Sequence, residues 1–366
     1  MQLATNSSFP VYLSTSKLRI LTQNIFERPP LIKNNKSDWK DARLDYLIEH
    51  ILPNYDVVCL QEMFEFASSR RSRLLAAAQK LGFEYYVVSQ RRFIWNLAID
   101  GGLAILSRYP IVASESLVYQ RGIGPDWLAK KGVLYAKIQA QLPDREPTHV
   151  HIFTTHTQAS YGEVLITQPD VKRRLAQLFE FHKFLERILP QYRAAGEPVV
   201  LSGDFNVDSR DHELSEPKSI PYEREVEDGV QTSDEGAAML SVLQGHGIDP
   251  SVLGPDNKDT FRGKTIIELH DALYERLGYH PVTFGNIVVD KDGTVRPRET
   301  VLTTQQDNMV MHSIDYILWY NPDAEEQKNN VVAQLADVGV TPNFTPGQPF
   351  TQISDHYGVS AEIHFS

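Results

Sequence analysis

"PVVLSGDFNVDS", residues 198–209, decides how this chain is read. An apolar run at 199–201 passes into Gly203, Asp204, Phe205 and Asn206, so a strand with little exposed surface ends in an acid and an amide two positions apart. Three readings compete there. Gly, Asp and Asn are ready turn formers. An EF-hand fits poorly, because its loop alternates acids and closes on a glutamate where Ser215 stands here. The third reading is one wall of a catalytic pocket, with Asp204 and Asn206 on the same side of the strand and a water or phosphate oxygen between them.

Outward from that stretch, short apolar or alternating runs recur at 17–25, 56–62, 82–89, 101–108, 132–140 and 148–156, and again at 313–320 and 356–365. These predict strands. Helical spacing separates several of them: Leu44, Leu47, Ile48 and Ile51; Leu74, Leu75, Ala78 and Leu81; and Val171 to Leu189, with Pro190 ending the third helix. Alternating strands and helices predict a layered α/β fold. Residues 210–312 form an insertion longer than ordinary loops. Its acidic first part, 211–236, is expected to be mobile; a helix follows around 237–243, and Asp292-Gly293 predicts a hairpin turn.

The 366 residues are 42% hydrophobic and 23% charged, which suits a folded globular chain. A formal net charge of −11 disfavours partners such as long nucleic acid, which need a basic face, but leaves room for a small phosphate site. One cysteine, Cys59 in an apolar run, excludes an intrachain disulfide and favours a buried thiol in a reducing, cytoplasmic setting, with the compartment left open. No signal-like start and no apolar window of roughly 18 residues is present, so the expectation is a soluble chain with at most peripheral membrane contact.

Residues able to handle metals or protons cluster at the ends of the expected strands. Asn24 and Glu62 close the first two, His156 and Asp204 close later ones, and Asp355-His356 opens the last. Taken singly, each has a bland reading as a cap, a turn or an exposed charge. Together they meet the needs of general-base chemistry: Asp315 is placed to orient the imidazole of His356, and Glu62, following four apolar residues, needs a partner that a hard cation supplies.

In sequence order, Asn24, Gln61-Glu62, "GGLAILSRYPI" (101–111), "TTHTQA" (154–159), "GDFN" (203–206), "SIDYI" (313–317) and "SDH" (354–356) resemble the endonuclease/exonuclease/phosphatase superfamily. The resemblance covers essentially the whole chain outside 210–312. It implies a DNase-like four-layer α/β sandwich, two packed mixed β-sheets flanked by helices, as one catalytic domain over 1–366. It also implies a phosphodiesterase or phosphatase site at one rim, served by Mg²⁺, with Mn²⁺ or Co²⁺ as substitutes. Carried over position by position, Glu62, Asn24 and Asp355 look like the metal site, and His356 like the base that activates water, oriented by Asp315. Asp204 and Asn206 would position water and phosphate, and His156 would bind a phosphoryl oxygen or help the leaving group.

Within that superfamily, His156-Thr157-Gln158-Ala159 resembles the neutral sphingomyelinase branch, with Thr157 replacing the more common Leu. Asp126 and Lys131, ahead of Gly132, resemble an Asp and Lys pair of the same branch with a substrate or regulatory role. The implied activity is phospholipase C cleavage of sphingomyelin or a related phosphosphingolipid to ceramide and a phosphorylated headgroup. A nuclease or deadenylase-like phosphodiesterase of the same superfamily is the alternative, and a decayed binding relative is a third. Trp95, Trp127, Phe344 and Phe350 are the expected membrane-surface residues.

Overall fold

The structure, a computed structural model, describes residues 15–30, 32, 38–90, 99–160, 165–212, 221–255, 257–304, 309–320, 322 and 332–366. Its strands begin with β1 (Lys17–Asn24), β2 (Val57–Gln61), β3 (Tyr85–Val88), β4 (Ala104–Ser107), β5 (Ile111–Val118), β6 (Gly132–Ala140), β7 (Thr148–His156) and β8 (Val199–Asp204). They continue with β9 (His270–Asp271), β10 (Phe284–Gly285), β11 (Ile287–Val289), β12 (Val295–Pro297), β13 (Met311–His312), β14 (Asp315–Tyr320), β15 (Ala333–Thr341) and β16 (Gly358–Phe365). The α-helices are α1 (Lys40–Tyr46), α2 (Arg70–Lys80), α3 (Pro169–Tyr192), α4 (Pro221–Val230), α5 (Asp234–Gln244) and α6 (Ala272–Leu277).

Among the described residues, two six-stranded sheets form, in the orders β15-β16-β1-β2-β4-β3 and β5-β6-β7-β8-β14-β9. Each is mixed: β1 and β2 run parallel in one, β7 and β8 in the other, and the remaining ladders are antiparallel.

The period of two along β2 shows how the layers arise. Val57 and Cys59 point into a core between the sheets, with Leu18, Ile20, Ile152, Val200 and Ile317. Val58 and Leu60, facing the other way, pack with Leu44, Leu74 and Ala78 from α1 and α2. On the far side of the second sheet, Phe153, Leu201 and Tyr316 meet Val171, Leu175 and Leu178 of α3 and Val242 of α5. Strands buried on both faces must be apolar at consecutive positions, and each such side chain contributes about 1.5–3 kcal/mol of transfer free energy. The order of layers is therefore helix, sheet, sheet, helix, the four-layer α/β sandwich expected.

Several elements differ from expectation. Strands β5 and β15 were not anticipated; both are sheet edges, β5 alternating between partial burial and exposure and β15 only partly buried through most of its length, so polar residues interrupt the apolar signal. Pro190 does not end α3, which continues to Tyr192: so close to the C-terminus the ring forfeits one hydrogen bond, and Arg193 N still donates to Leu189 O at 2.9 Å. The first part of 210–312 holds helix α4, where mobility was expected; Ser215 lies outside the described residues. The hairpin is formed by β11 and β12, with Gly293 at φ 85°, and β9 pairs with β14.

Candidate active site

Strand register brings the expected residues together. His156 stands beside Asp204 in the parallel β7–β8 ladder, and Asp204 stands opposite Asp315 in the antiparallel β8–β14 ladder. Three neighbouring strands of the second sheet thus end on His, Asp and Asp. The first sheet supplies the rest: Asn24 ends β1, Glu62 follows β2, and Asp355-His356 precedes β16. The site is built where the rims of the two sheets meet.

Side-chain bonds cross that seam. Asn24 Nδ2 donates to Asp204 Oδ2 at 3.0 Å and faces Glu62 Oε1 at 3.3 Å. His356 Nδ1 lies 2.9 Å from Asp315 Oδ2, and His356 Nε2 lies 3.8 Å from Asp204 Oδ2. Deeper in, Gln61 Nε2 donates to Thr154 Oγ1 at 2.9 Å and to Thr22 Oγ1 at 3.1 Å, locking the sheets behind the site.

Burial sets the electrostatics. Asp204 and Asp355 are each pushed up to about 6, by burial first, with His356 acting in the opposite direction. Burial opposes charge on His356 as well, but Asp315 and Asp204 outweigh it and hold the imidazole at about 10. His156 is driven well below its ordinary value by burial and by the charges of Lys131 and His356, and is therefore a neutral imidazole. Its Nε2 lies 3.4 Å from Asp204 Oδ2, and its Nδ1 is buried without a hydrogen-bond partner.

Two carboxylate oxygens, Glu62 Oε2 and Asp315 Oδ1, are likewise buried with no hydrogen-bond partner. Orphan acceptors of this kind are unfavourable unless a cation or donor meets them. The grouping of Asp204, Asp315 and His356, with Glu62, Asn24 and Asp355 beside it, offers mostly hard oxygen donors and fits a divalent cation. Glu62 and Asn206 also adopt left-handed backbone, φ 59° and 51°, a sparsely populated conformation for non-glycine residues that clusters at functional sites.

Two glycines serve this rim. Gly203, at φ 133°, lies so near β7 that a Cβ would stand 2.2 Å from Thr155 O; this explains the glycine ahead of Asp204. Gly102 passes under Glu62, where a Cβ would stand 3.1 Å from its Cα.

Asn206 departs from the expected geometry. It has already left the strand, so the alternation that would place it beside Asp204 no longer applies; its amide N donates to Asp204 Oδ1 and its Nδ2 to Thr157 O at 3.1 Å. Asp126 and Lys131 form a buried ion pair at 2.8 Å that binds the segment after β7: Lys131 Nζ donates to Thr157 O and Ala159 N donates to Asp126 Oδ2, each at 2.7 Å. Gln158 is buried, accepting from Ile123 N at 2.8 Å and donating to Ile123 O. The "HTQA" residues thus tie the 123–131 loop to the site.

Phe350, expected at a membrane surface, is 1% exposed and packs with Phe26 and Leu302, because its loop folds inward onto α1. Trp127 and Phe344 are exposed, 45% and 44%, each under an arginine, Arg121 and Arg298 respectively. Trp95 lies outside the described residues.

Three supporting residues gave no signal in the sequence. Gln23 Nε2 donates to His356 O, Thr283 Oγ1 accepts from the backbone N–H groups of Ile314 and Asp315, and the Phe284 ring packs 4.8 Å from that of His356. Only pairing across distant segments reveals them.

Known proteins resemble this chain in sequence and in fold. The model of the Endonuclease/Exonuclease/phosphatase family matches residues 21–356. A sphingomyelinase of Dictyostelium discoideum is 29% identical over 480 aligned positions, covering 96% of this chain and 100% of that protein. A sphingomyelinase C of Bacillus cereus is 31% identical over 204, covering 52% of this chain and 57% of that protein. A Staphylococcus aureus beta toxin mutant, solved with bound magnesium ions, superposes with a TM-score of 0.54 at 19% identity, over 94% of this chain and 99% of the toxin, which shows the shared fold. With a family match spanning every strand-end residue just described, the chain belongs to the Endonuclease/Exonuclease/phosphatase family and is a phosphodiester hydrolase.

Proposed function

We propose that this chain is a Mg²⁺-dependent phospholipase C that hydrolyses a phosphosphingolipid to ceramide and a phosphorylated headgroup. The observation that carries the reading is the imidazole of His356, bonded through Nδ1 to Asp315 at 2.9 Å, with its other nitrogen at the rim shared with Asp204. That arrangement orients a general base toward water. Glu62, Asn24 and Asp355 would hold the ion, and their fit rests on the orphan oxygen of Glu62 and the acidic excess around it. Bound there, Mg²⁺ supplies a Lewis acid for a phosphoryl oxygen and positive charge that lowers the proton affinity of His356.

His356 takes a proton from water as the oxygen attacks phosphorus, the bond from phosphorus to the ceramide oxygen breaks in line with it, and that oxygen takes up a proton from solvent to leave as the ceramide hydroxyl. Asp204 and Asn206 position that water and the phosphate; neutral His156 donates a hydrogen bond to a phosphoryl or leaving oxygen. Asp126 and Lys131 act by fixing the segment after β7. Residues 210–312 belong to the same catalytic unit in this reading, supported by β9 in the second sheet and by Thr283 under Asp315.

The sphingolipid assignment rests on the sphingomyelinase relatives and on the "HTQA" segment. Purified protein assayed on sphingomyelin and on inositol- and ethanolamine-phosphate sphingolipids, with Mg²⁺ and with EDTA, tests it. Metal-dependent headgroup release from at least one is expected. No release from any, beside robust cleavage of DNA, RNA or poly(A), overturns it in favour of a nuclease or deadenylase.

A further inference from the structure

A second grouping of metal-ligating side chains lies outside the catalytic set. Asp208, four residues past Asp204, His212, four residues further, and His312, at the end of β13, place one ligand atom each within 4.8 Å of one another. Asp208 Oδ2 stands 2.7 Å from His212 Nε2 and 3.7 Å from His312 Nε2. Ligands held at the usual zinc distances stand about 3.3 Å apart in a tetrahedron, so these separations bracket the required spacing.

The surroundings are those of a built site. The second oxygen of Asp208 is fixed by the N–H groups of Ser313 at 2.9 Å and Arg210 at 3.1 Å, which leaves Oδ2 directed at the two imidazoles. The far nitrogen of His212, Nδ1, faces Asp228 Oδ2 at 4.0 Å, and Asp228 Oδ1 is buried with no hydrogen-bond partner. Asp228 thus stands behind His212 as a buried carboxylate, its Oδ2 also accepting from Arg224 Nε at 3.2 Å. Asp208 is buried, whereas the His212 side chain is 40% exposed.

We propose that Asp208, His212 and His312 form a second metal site, selective for a borderline transition ion such as Zn²⁺ over Mg²⁺. Two imidazoles and one carboxylate suit Zn²⁺, while Mg²⁺ favours an all-oxygen shell. Its position gives it a bearing on catalysis. Asp208 follows the segment carrying Asp204 and Asn206, and His312 stands three residues before Asp315. Phe284 pairs with His312 on one side and bridges to His356 on the other. An ion here cross-links the loop after β8 to the approach to β14.

Zn²⁺ binding to the full chain, read by competition with a chromogenic chelator in saturating Mg²⁺ and without substrate, tests this independently of the activity proposed above. Wild-type protein and Glu62→Gln are expected to bind one Zn²⁺ alike, and His212→Ala and His312→Ala to bind it at least tenfold more weakly. Measured against its own melt in EDTA, His212→Ala should lose the rise in melting temperature that Zn²⁺ gives the wild type. Unchanged Zn²⁺ affinity in His212→Ala, or binding lost in Glu62→Gln instead, overturns the proposal.

Discussion

Asp204 and Asp315 face each other across the β8–β14 ladder, both buried, and the imidazole of His356 from the other sheet reaches toward both. Two acids side by side beneath one base give a site whose charge balance depends on what sits over the rim.

Asp315→Asn should keep the fold and remove the charge that most strongly raises the proton affinity of His356. Turnover is expected to fall by about 10²–10⁴, the usual range for a disabled general base, with the rising limb of the pH–rate profile moved to lower pH. Steady-state rates from pH 5 to 10 check both; a lower rate with an unmoved limb would exclude an orienting role for Asp315.

Glu62→Gln removes the carboxylate with the orphan oxygen. Activity at fixed Mg²⁺ should drop at least about a hundredfold and recover in part at higher Mg²⁺, because ligand loss weakens binding before it harms chemistry. Melting in EDTA should not fall. A Mg²⁺ dependence identical to wild type would remove Glu62 from the metal site.

Without metal, stability should decline as pH rises. Asp204 and Asp355 are near 6 when folded and about 3.9 when unfolded, so the folded state holds more protons and stability is lost between these values. His356, raised to about 10, contributes stability that is complete below about 6.5 and lost toward 10, in the same direction. Mg²⁺ competes with these protons, so its stabilising effect on melting should be larger at pH 7.5 than at pH 5. Scanning calorimetry with Mg²⁺ or EDTA at both pH values decides it; equal shifts would contradict the assignment.

Lys131→Met removes the cation paired with the buried Asp126 carboxylate and one of the two donors to Thr157 O, at an expected loss of about 3–5 kcal/mol. Adding Asp126→Asn should restore part of it. Denaturant unfolding of the two single variants and the double variant measures the coupling, and additive losses would show that the pair acts as two independent charges.

Trp127→Ala with Leu128→Ala removes two exposed apolar side chains, 45% and 49% accessible, from the loop tied to Gln158. Binding to lipid vesicles should weaken about tenfold while hydrolysis of a soluble phosphodiester stays unchanged. Equal vesicle binding would place the membrane contact elsewhere.

Much of this was legible in the sequence because buried strands write themselves in apolar runs, and the candidate site residues stand where those runs stop. Edges were less legible: β5 exposes one face and β15 is mostly half-buried, so their pattern dissolves into polar residues. Phe350 and Phe344 look alike in sequence, yet one is core and the other surface, a difference set by how their loop closes over Phe26. Support from Gln23 and Thr283 could not be read at all, since each partner is a backbone group hundreds or tens of residues away.

The bond from Gln61 to Thr154 has a consequence for the chain's history of assembly. It joins two half-sites that are each chemically mute: β1, β2 and β16 carry Asn24, Glu62 and His356, while β7, β8 and β14 carry His156, Asp204 and Asp315. Because β16 lies C-terminal to the other described strands and pairs with β1, the imidazole of His356 joins the acids only when that ladder forms. A molecule in which β16 is unpaired therefore holds the acids without the imidazole, and hydrolytic competence emerges in one step, with the finished sandwich.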